Sequence, residues 1–248
     1  MTGAIAHSYL LSYDSSGQML SSPPPTERGT QSGECVLHPA QEKAMQPTIL
    51  VLYYSMFGNT HRMAQAVCEG IASTGALARL RQVPDLLPDD VIASDVRIRA
   101  AKDAQKEVPT ATLEDFAGID GIVLGSPTRF GNMCSQMRNF LDRTGSLWMK
   151  AALAGKPAGV FCCTGTLHGG QESTLLSMML TLLHHGCIII GVHPATPELF
   201  RTTGGGSPYG ASAVVGPSAD IPPLPEDLAV AAALGARVAE CARRMKSS

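Results

Sequence analysis

The 248-residue chain has a formal charge of −2 and a sequence pI near 6.4, so it offers no electrostatic basis for binding nucleic acid or an acidic membrane surface. It contains no continuous apolar run of about 18 residues, the length that a membrane-spanning helix needs. The seven cysteines include no C-x-x-C pair, and Cys68, Cys162, Cys163 and Cys187 sit in apolar runs, a pattern that suits free thiols in a cytoplasmic protein.

Residues 1–46 differ from the rest. They hold Ser21-Ser22-Pro23-Pro24-Pro25 and many Ser, Gly and Gln without a sustained period, which predicts a disordered extension. Neither a secretory signal nor a transit peptide fits this segment: His7, Ser8 and Ser12 interrupt any apolar core, and Asp14 precedes the first arginine, Arg28. Met45 could serve as an alternative start. The remainder, 47–248, reads as one domain of alternating strands and helices.

The first strand is predicted over Thr48–Tyr54. It stops at Ser55-Met56-Phe57-Gly58-Asn59-Thr60, and a helix is predicted over about Asn59–Ser73 with Met63, Ala64, Val67, Cys68 and Ile71 on one face. A strand that runs through a short loop into a helix N-terminus places free backbone N–H groups and the positive helix end at one spot. Ser55, Thr60 and Asn59 add neutral donors. The loop has no lysine and does not read G-x-x-x-x-G-K-[ST], nor is it G-x-G-x-x-G, so nucleoside-triphosphate and dinucleotide loops are both excluded. A terminal phosphomonoester such as that of FMN remains.

A second strand fits Ala76–Val83, and the long, mixed-charge segment Pro84–Phe116 is expected to be partly irregular. The third strand is predicted at Gly121–Gly125, followed by Ser126-Pro127-Thr128-Arg129-Phe130-Gly131-Asn132-Met133. There Pro127 is expected to pin a turn and Gly131 to let backbone approach a ligand. A helix follows at about Cys134–Thr144. The fourth strand, Ala158–Cys163, runs into Thr164-Gly165-Thr166-Leu167-His168-Gly169-Gly170-Gln171-Glu172, a loop suited to close contact with a planar ring. A helix is predicted over Ser173–His185 and a fifth strand over Cys187–Gly191. Residues 192–225 show no clear element, and the last helix covers about Glu226–Met245. Short apolar strands separated by helices predict a parallel sheet covered on both faces, a three-layer α/β sandwich. With the phosphate loop after strand one, a five-stranded sheet of flavodoxin-like order 2-1-3-4-5 is expected, with the site at the C-terminal strand edges. No spacing of His, Cys and Asp suggests a metal site.

Motifs in this order occur together in one family. They are Ser-Met-x-Gly at Ser55–Gly58, Pro-Thr-Arg-Phe-Gly-Asn-Met at Pro127–Met133, Gly-Gly-Gln-Glu at Gly169–Glu172, Leu-His-His-Gly at Leu183–Gly186 and Gly-Gly-x-Pro-Tyr-Gly-Ala at Gly205–Ala211. From about Thr48 onward the chain closely resembles the WrbA-type NAD(P)H:quinone oxidoreductases. The resemblance implies FMN as cofactor, NADH or NADPH and quinones as substrates, two-electron reduction by a ping-pong route, and a homotetramer. By position it implies FMN contacts at Ser55, Met56, Phe57, Gly58, Asn59 and Thr60, and at Pro127, Thr128, Arg129, Phe130 and Gly131. A further set is implied at Cys163, Thr164, Gly165, Thr166, Gly169 and His184. Phe57, Phe130, Trp148 and His184 are implied to border the substrate. Phe57 stands where many members carry Tyr, and Asn59 where His is common. Trp148 could instead be a packing residue, His184 a helix cap and Arg129 a solvated charge. A non-enzymatic electron carrier and a regulatory interaction protein are the alternatives of other classes; the near-neutral charge disfavours a carrier, which usually presents an acidic docking surface.

Overall fold

A computed structural model of the chain describes residues 46–247; the predicted disordered extension, apart from Gln46, lies outside the described residues. The central strands form where apolar residues run unbroken. β1 (Thr48–Tyr53), β3 (Gly121–Arg129) and β5 (Pro157–Thr164) are buried almost throughout. Helices cover both faces, so neither side chain of a successive pair meets solvent. On one face Ile49, Val51, Tyr53 and Cys163 pack with α1 (Asn59–Ser73) and the final helix. On the other, Leu50, Leu52 and Cys162 pack with the helices that follow β3 and β5. The adjacent thiols Cys162 and Cys163 thus enter opposite cores, as strand alternation requires.

β2 (Leu77–Gln82) is the exception to the expectation of fully apolar strands. It is a half-exposed edge with Arg79 and Arg81, which reach back to the 3-10 turn Leu113–Phe116; Arg81 pairs with Asp115 at 2.7 Å. Charge on an edge strand discourages pairing with other chains. The segment Pro84–Phe116 is more regular than expected. It forms α2 (Asp89–Ser94) and α3 (Val96–Gln105), the latter capped by the Asp95 carboxylate, which accepts from Arg97 N at 2.8 Å.

The sheet differs from the five-stranded prediction. It has seven strands, five along the path β2-β1-β3-β5-β6, where β6 is Ile188–Ile189, and two off that path. β3 runs past Pro127 to Arg129 and pairs antiparallel with β4 (Asn132–Met133), so the turn falls at Phe130-Gly131 and not at Pro127. Both turn residues have positive φ, 53° and 75°, the requirement of a two-residue type I′ hairpin. After α4 (Ser135–Asp142) and α5 (Gly145–Met149), β5 leads to α6 (Gln171–His184). The expected fifth strand shrinks to β6 (Ile188–Ile189), and β7 (Ala211–Val214) continues beside β5, inside the segment expected to lack structure.

α7 (Pro225–Lys246) closes the chain and lies tightly on α1. A Cβ at Gly70 would meet the Ala232 carbonyl oxygen at 1.9 Å, and one at Gly235 would meet that of Val67 at 2.2 Å. Only glycine permits this approach of helix backbones. No helix among the described residues is long and apolar enough to cross a membrane.

Candidate functional site

The C-terminal ends of β1, β3, β5 and β7 and the loops that follow them meet at one end of the sheet around a cavity of about 110 Å³. Ser55, Met56, Phe57, Asn59 and Thr60 line it from the loop and helix start after β1, and Pro127, Thr128 and Arg129 from the end of β3. Cys163 and Thr164 line it from the end of β5, with Gly165 just beyond. Val215, Gly216, Pro217 and Ala219 complete the wall. Sequence reasoning missed this fourth group because β7 consists of small residues without a readable period. The Gly205–Ala211 motif just before it was the available signal.

The floor is a helix start without its usual cap. Gly58 takes the N-cap position at φ 89°, in the left-handed region, and no side chain caps α1. The first amides of the helix have no intrahelical acceptor. Ser55 Oγ shapes the loop by accepting from Gly58 N at 3.1 Å. Asn59 Nδ2 donates to Ala219 O at 2.8 Å, which draws the 215–219 wall onto the loop. Arg97 strengthens that closure: its guanidinium lies 5.0 Å from the Phe57 ring centre and donates to Ser218 O at 3.1 Å. Arg129 folds over Met56 and its own strand, donating to Thr128 O at 2.8 Å. Thr128 is in turn fixed by the hydroxyl of Thr174 at 2.7 Å.

Burial pushes the Cys163 thiol up to about 12, although the Thr60 hydroxyl pulls the other way. It is a neutral wall atom, not a nucleophile. Burial likewise holds His61, beside the loop, below the ordinary histidine value. Neutral hydroxyl, amide and backbone donors at a helix N-terminus suit a phosphomonoester, and the donor set therefore fits FMN.

Other residues singled out from sequence lie elsewhere. Gly58 caps the helix behind the cavity, and Gly131 completes the hairpin turn. Thr166 and Gly169 form a turn of their own, with Gly169 N donating to Thr166 O at 3.0 Å. Phe130 is fully exposed at the hairpin tip. Trp148 and His184 do not reach this cavity. They line a separate open groove of about 760 Å³ with Asn132, Arg138, Leu180 and His185. The His185 ring is held across the groove, with its Nε2 2.9 Å from Thr144 Oγ1 between α4 and α5.

Residues 47–198 match the family of NADPH-dependent FMN reductases. The chain is 46% identical over 202 residues to an NAD(P)H dehydrogenase (quinone) from Solidesulfovibrio magneticus, covering 80% of this chain and 99% of that one. A protein of the same description from Geobacter sulfurreducens is 47% identical over 200 residues, covering 79% and 98%. The chain belongs to the NAD(P)H dehydrogenase (quinone) family. Among solved structures, the WrbA-like flavodoxin of Agrobacterium tumefaciens aligns with this family member at a TM-score of 0.53 and 27% identity, over 80% of this chain and 99% of that one. An archaeal flavodoxin aligns at 0.51 with 18% identity over 79% and 98%, a likeness of fold alone.

Proposed function

We propose that the protein is an FMN-dependent NAD(P)H:quinone oxidoreductase that reduces quinones to hydroquinones by two electrons in a ping-pong cycle. The observation that carries this reading is the convergence of the uncapped α1 N-terminus with Pro127–Arg129 at the end of β3 and Cys163–Gly165 at the end of β5 on one cavity. Ser55, Asn59, Thr60 and the first amides of α1 would hold the phosphate, and Pro127, Thr128, Arg129, Thr164 and Gly165 would bound the rest of the cofactor. FMN, when bound, supplies the hydride acceptor and donor. The chain's part is to orient flat partners and keep water away, and the buried thiols and His61 stay neutral while it does so.

The exposed Phe130 ring and the half-exposed Trp148 are suited to stack on a planar substrate. If nicotinamide and quinone use one place in turn, the first product leaves before the second substrate enters, and double-reciprocal plots run parallel.

We further propose a homotetramer in the cytoplasm. Leu176, Leu180 and Leu183 form an exposed apolar stripe along α6, and Leu180 shares a groove with Trp148. A stripe at that spacing is a contact surface. Trp148 and His184 line a groove apart from their own chain's cavity, and in such an assembly a neighbouring copy would bring them beside a cofactor. The described cysteines are free, which suits a reducing compartment. We also propose that residues 1–46 are an extension to a 47–248 domain, a reading supported by relatives that are covered to 98–99% of their length by 79–80% of this chain.

The test is to load the purified protein with FMN and mix it with NADH or NADPH, then with a small quinone. Bleaching of the flavin band within seconds, and its return on adding quinone, support the reading. A flavin that neither nucleotide bleaches overturns it in favour of an electron carrier.

A further inference from the structure

Gln171 opens α6 directly after the loop that carries Thr164 and Gly165, and its amide is buried, with the residue only 7% exposed. Both ends of that amide are used. Nε2 donates to Leu167 O at 2.9 Å, within the loop, and Oε1 accepts from Ser212 Oγ at 2.5 Å, on β7. Ser212, also buried, accepts from Gly206 N at 2.8 Å. The Gly204–Gly206 turn is pinned from its other side, where Thr202 Oγ1 accepts from Gly204 N at 3.2 Å and donates to the buried Asp227 carboxylate at 2.5 Å. One side chain thus joins the loop after β5 to β7 and, through Ser212, to a turn anchored on α7. The backbone of the same residue accepts from Cys162 Sγ at 3.6 Å.

An amide presents a donor and an acceptor at once whatever the pH. A carboxylate would still accept from Ser212 but would face the Leu167 carbonyl without a proton. An apolar side chain would leave two buried groups unpaired. The start of this loop is fixed to the sheet, where Thr164 O accepts from Val215 N at 2.8 Å, and its middle is shaped by short contacts of its own, Thr164 Oγ1 to Thr166 O at 3.0 Å and the Thr166–Gly169 turn. Beyond Thr164, the Gln171 amide ties the loop to β7, through Leu167 O on one side and Ser212 on the other.

We infer that Gln171 is a positioning residue, whose amide sets the 164–170 loop against β7 and so fixes the wall that meets the cofactor and substrate. The inference rests on the reading of this cavity as the FMN site. Ser212 is its partner in that role, and neither residue lines the cavity.

The experiment compares Gln171→Leu, Gln171→Glu and Ser212→Ala with the unaltered protein. It measures FMN affinity by fluorescence titration, the visible circular dichroism of bound flavin, kcat and KM for NADH and quinone, and thermal stability. Gln171→Leu is expected to weaken FMN by about tenfold, the equivalent of one lost hydrogen bond. It should also alter the flavin dichroism and lower kcat more than it raises KM. Gln171→Glu is expected to be impaired near about pH 8 and to approach the unaltered protein near about pH 5.5, because the protonated acid restores a donor to Leu167 O. Ser212→Ala should move the same readouts in the same direction by a smaller factor. If Gln171→Leu does not fold, the pH rescue of Gln171→Glu and the Ser212→Ala measurements decide the matter. Variants that melt earlier yet keep the unaltered FMN affinity, flavin dichroism and kcat overturn the inference, leaving Gln171 as a fastener of the fold. An unaltered protein that binds no FMN overturns the functional reading itself, and the inference with it.

Discussion

The indole N–H of Trp148 donates to the main-chain oxygen of His184 at 2.8 Å, so the two residues that border the large groove are also bonded to each other. The bond joins the short helix α5 to the end of α6. Trp148→Phe keeps an aromatic surface but removes the donor. It should cost about 0.5–1.5 kcal/mol of stability, the worth of an ordinary hydrogen bond. Because the groove is separate from the phosphate cavity, FMN affinity should stay at the level of the unaltered protein while KM for quinone rises. Urea unfolding and steady-state kinetics check both; a loss of FMN in this variant would contradict the separation.

Phe130 occupies a left-handed position at φ 53°, at the exposed tip of the β3–β4 hairpin. A side chain with Cβ there costs about 1–2 kcal/mol, and asparagine tolerates the conformation better. Phe130→Asn should therefore raise stability by up to about 1 kcal/mol while raising KM for quinone, with FMN still bound. A variant that is more stable and kinetically unchanged would remove Phe130 from substrate binding.

The double change Ser55→Ala, Thr60→Ala should weaken FMN strongly. Each lost hydrogen bond to a charged phosphate is worth about 1.5–3 kcal/mol, and Ser55 also supports Gly58 within the loop. Fluorescence titration measures the loss. An unchanged dissociation constant would place the phosphate elsewhere.

Legibility in the sequence followed the physics of each segment. β1, β3 and β5 are continuous apolar runs that stop at hydroxyl- or glycine-bearing loops, and those stops are where the cavity forms. β7 is Ala-Ser-Ala-Val, too small and too short to show a period, so the 215–219 wall stayed hidden with it. α3 buries only Ile98, Ala101 and Gln105 among many charges, which reads as irregular chain. The hairpin turn was masked by Pro127, which attracts a turn assignment yet sits inside β3. The resemblance implies Trp148 and His184 alongside the cavity residues, but their separation from the cavity is a tertiary fact with no local signal.

Acid should unfold the protein through two groups with the same sign. Burial holds His61 below its ordinary value of 6.5, so below that pH the unfolded chain binds a proton that the folded chain does not, and stability falls. His61→Phe keeps a ring against Tyr53, whose centre lies 5.4 Å away, and should remove this part of the slope. Burial pushes the Asp85 carboxyl up, but Lys102, the Leu87 amide and the Tyr54 hydroxyl together hold it below 3.8. The stability it adds is present above that value and lost as pH falls through the lower folded one. Asp85→Asn should be less stable at neutral pH and show a shallower loss in acid. Urea midpoints measured across pH test both; parallel curves for the variants and the unaltered protein would refute the assignment.

The close seating of α7 on α1 also bears on how the protein is made. α1, whose N-terminus floors the cavity, is synthesised well before α7, the partner that Gly70 and Gly235 admit to backbone contact. Until α7 docks, one whole face of α1 is bare and the early loop has nothing to hold its angle. The cavity therefore matures only once α7 has been made, and a chain cut short before α7 forfeits a cavity whose own residues are all present.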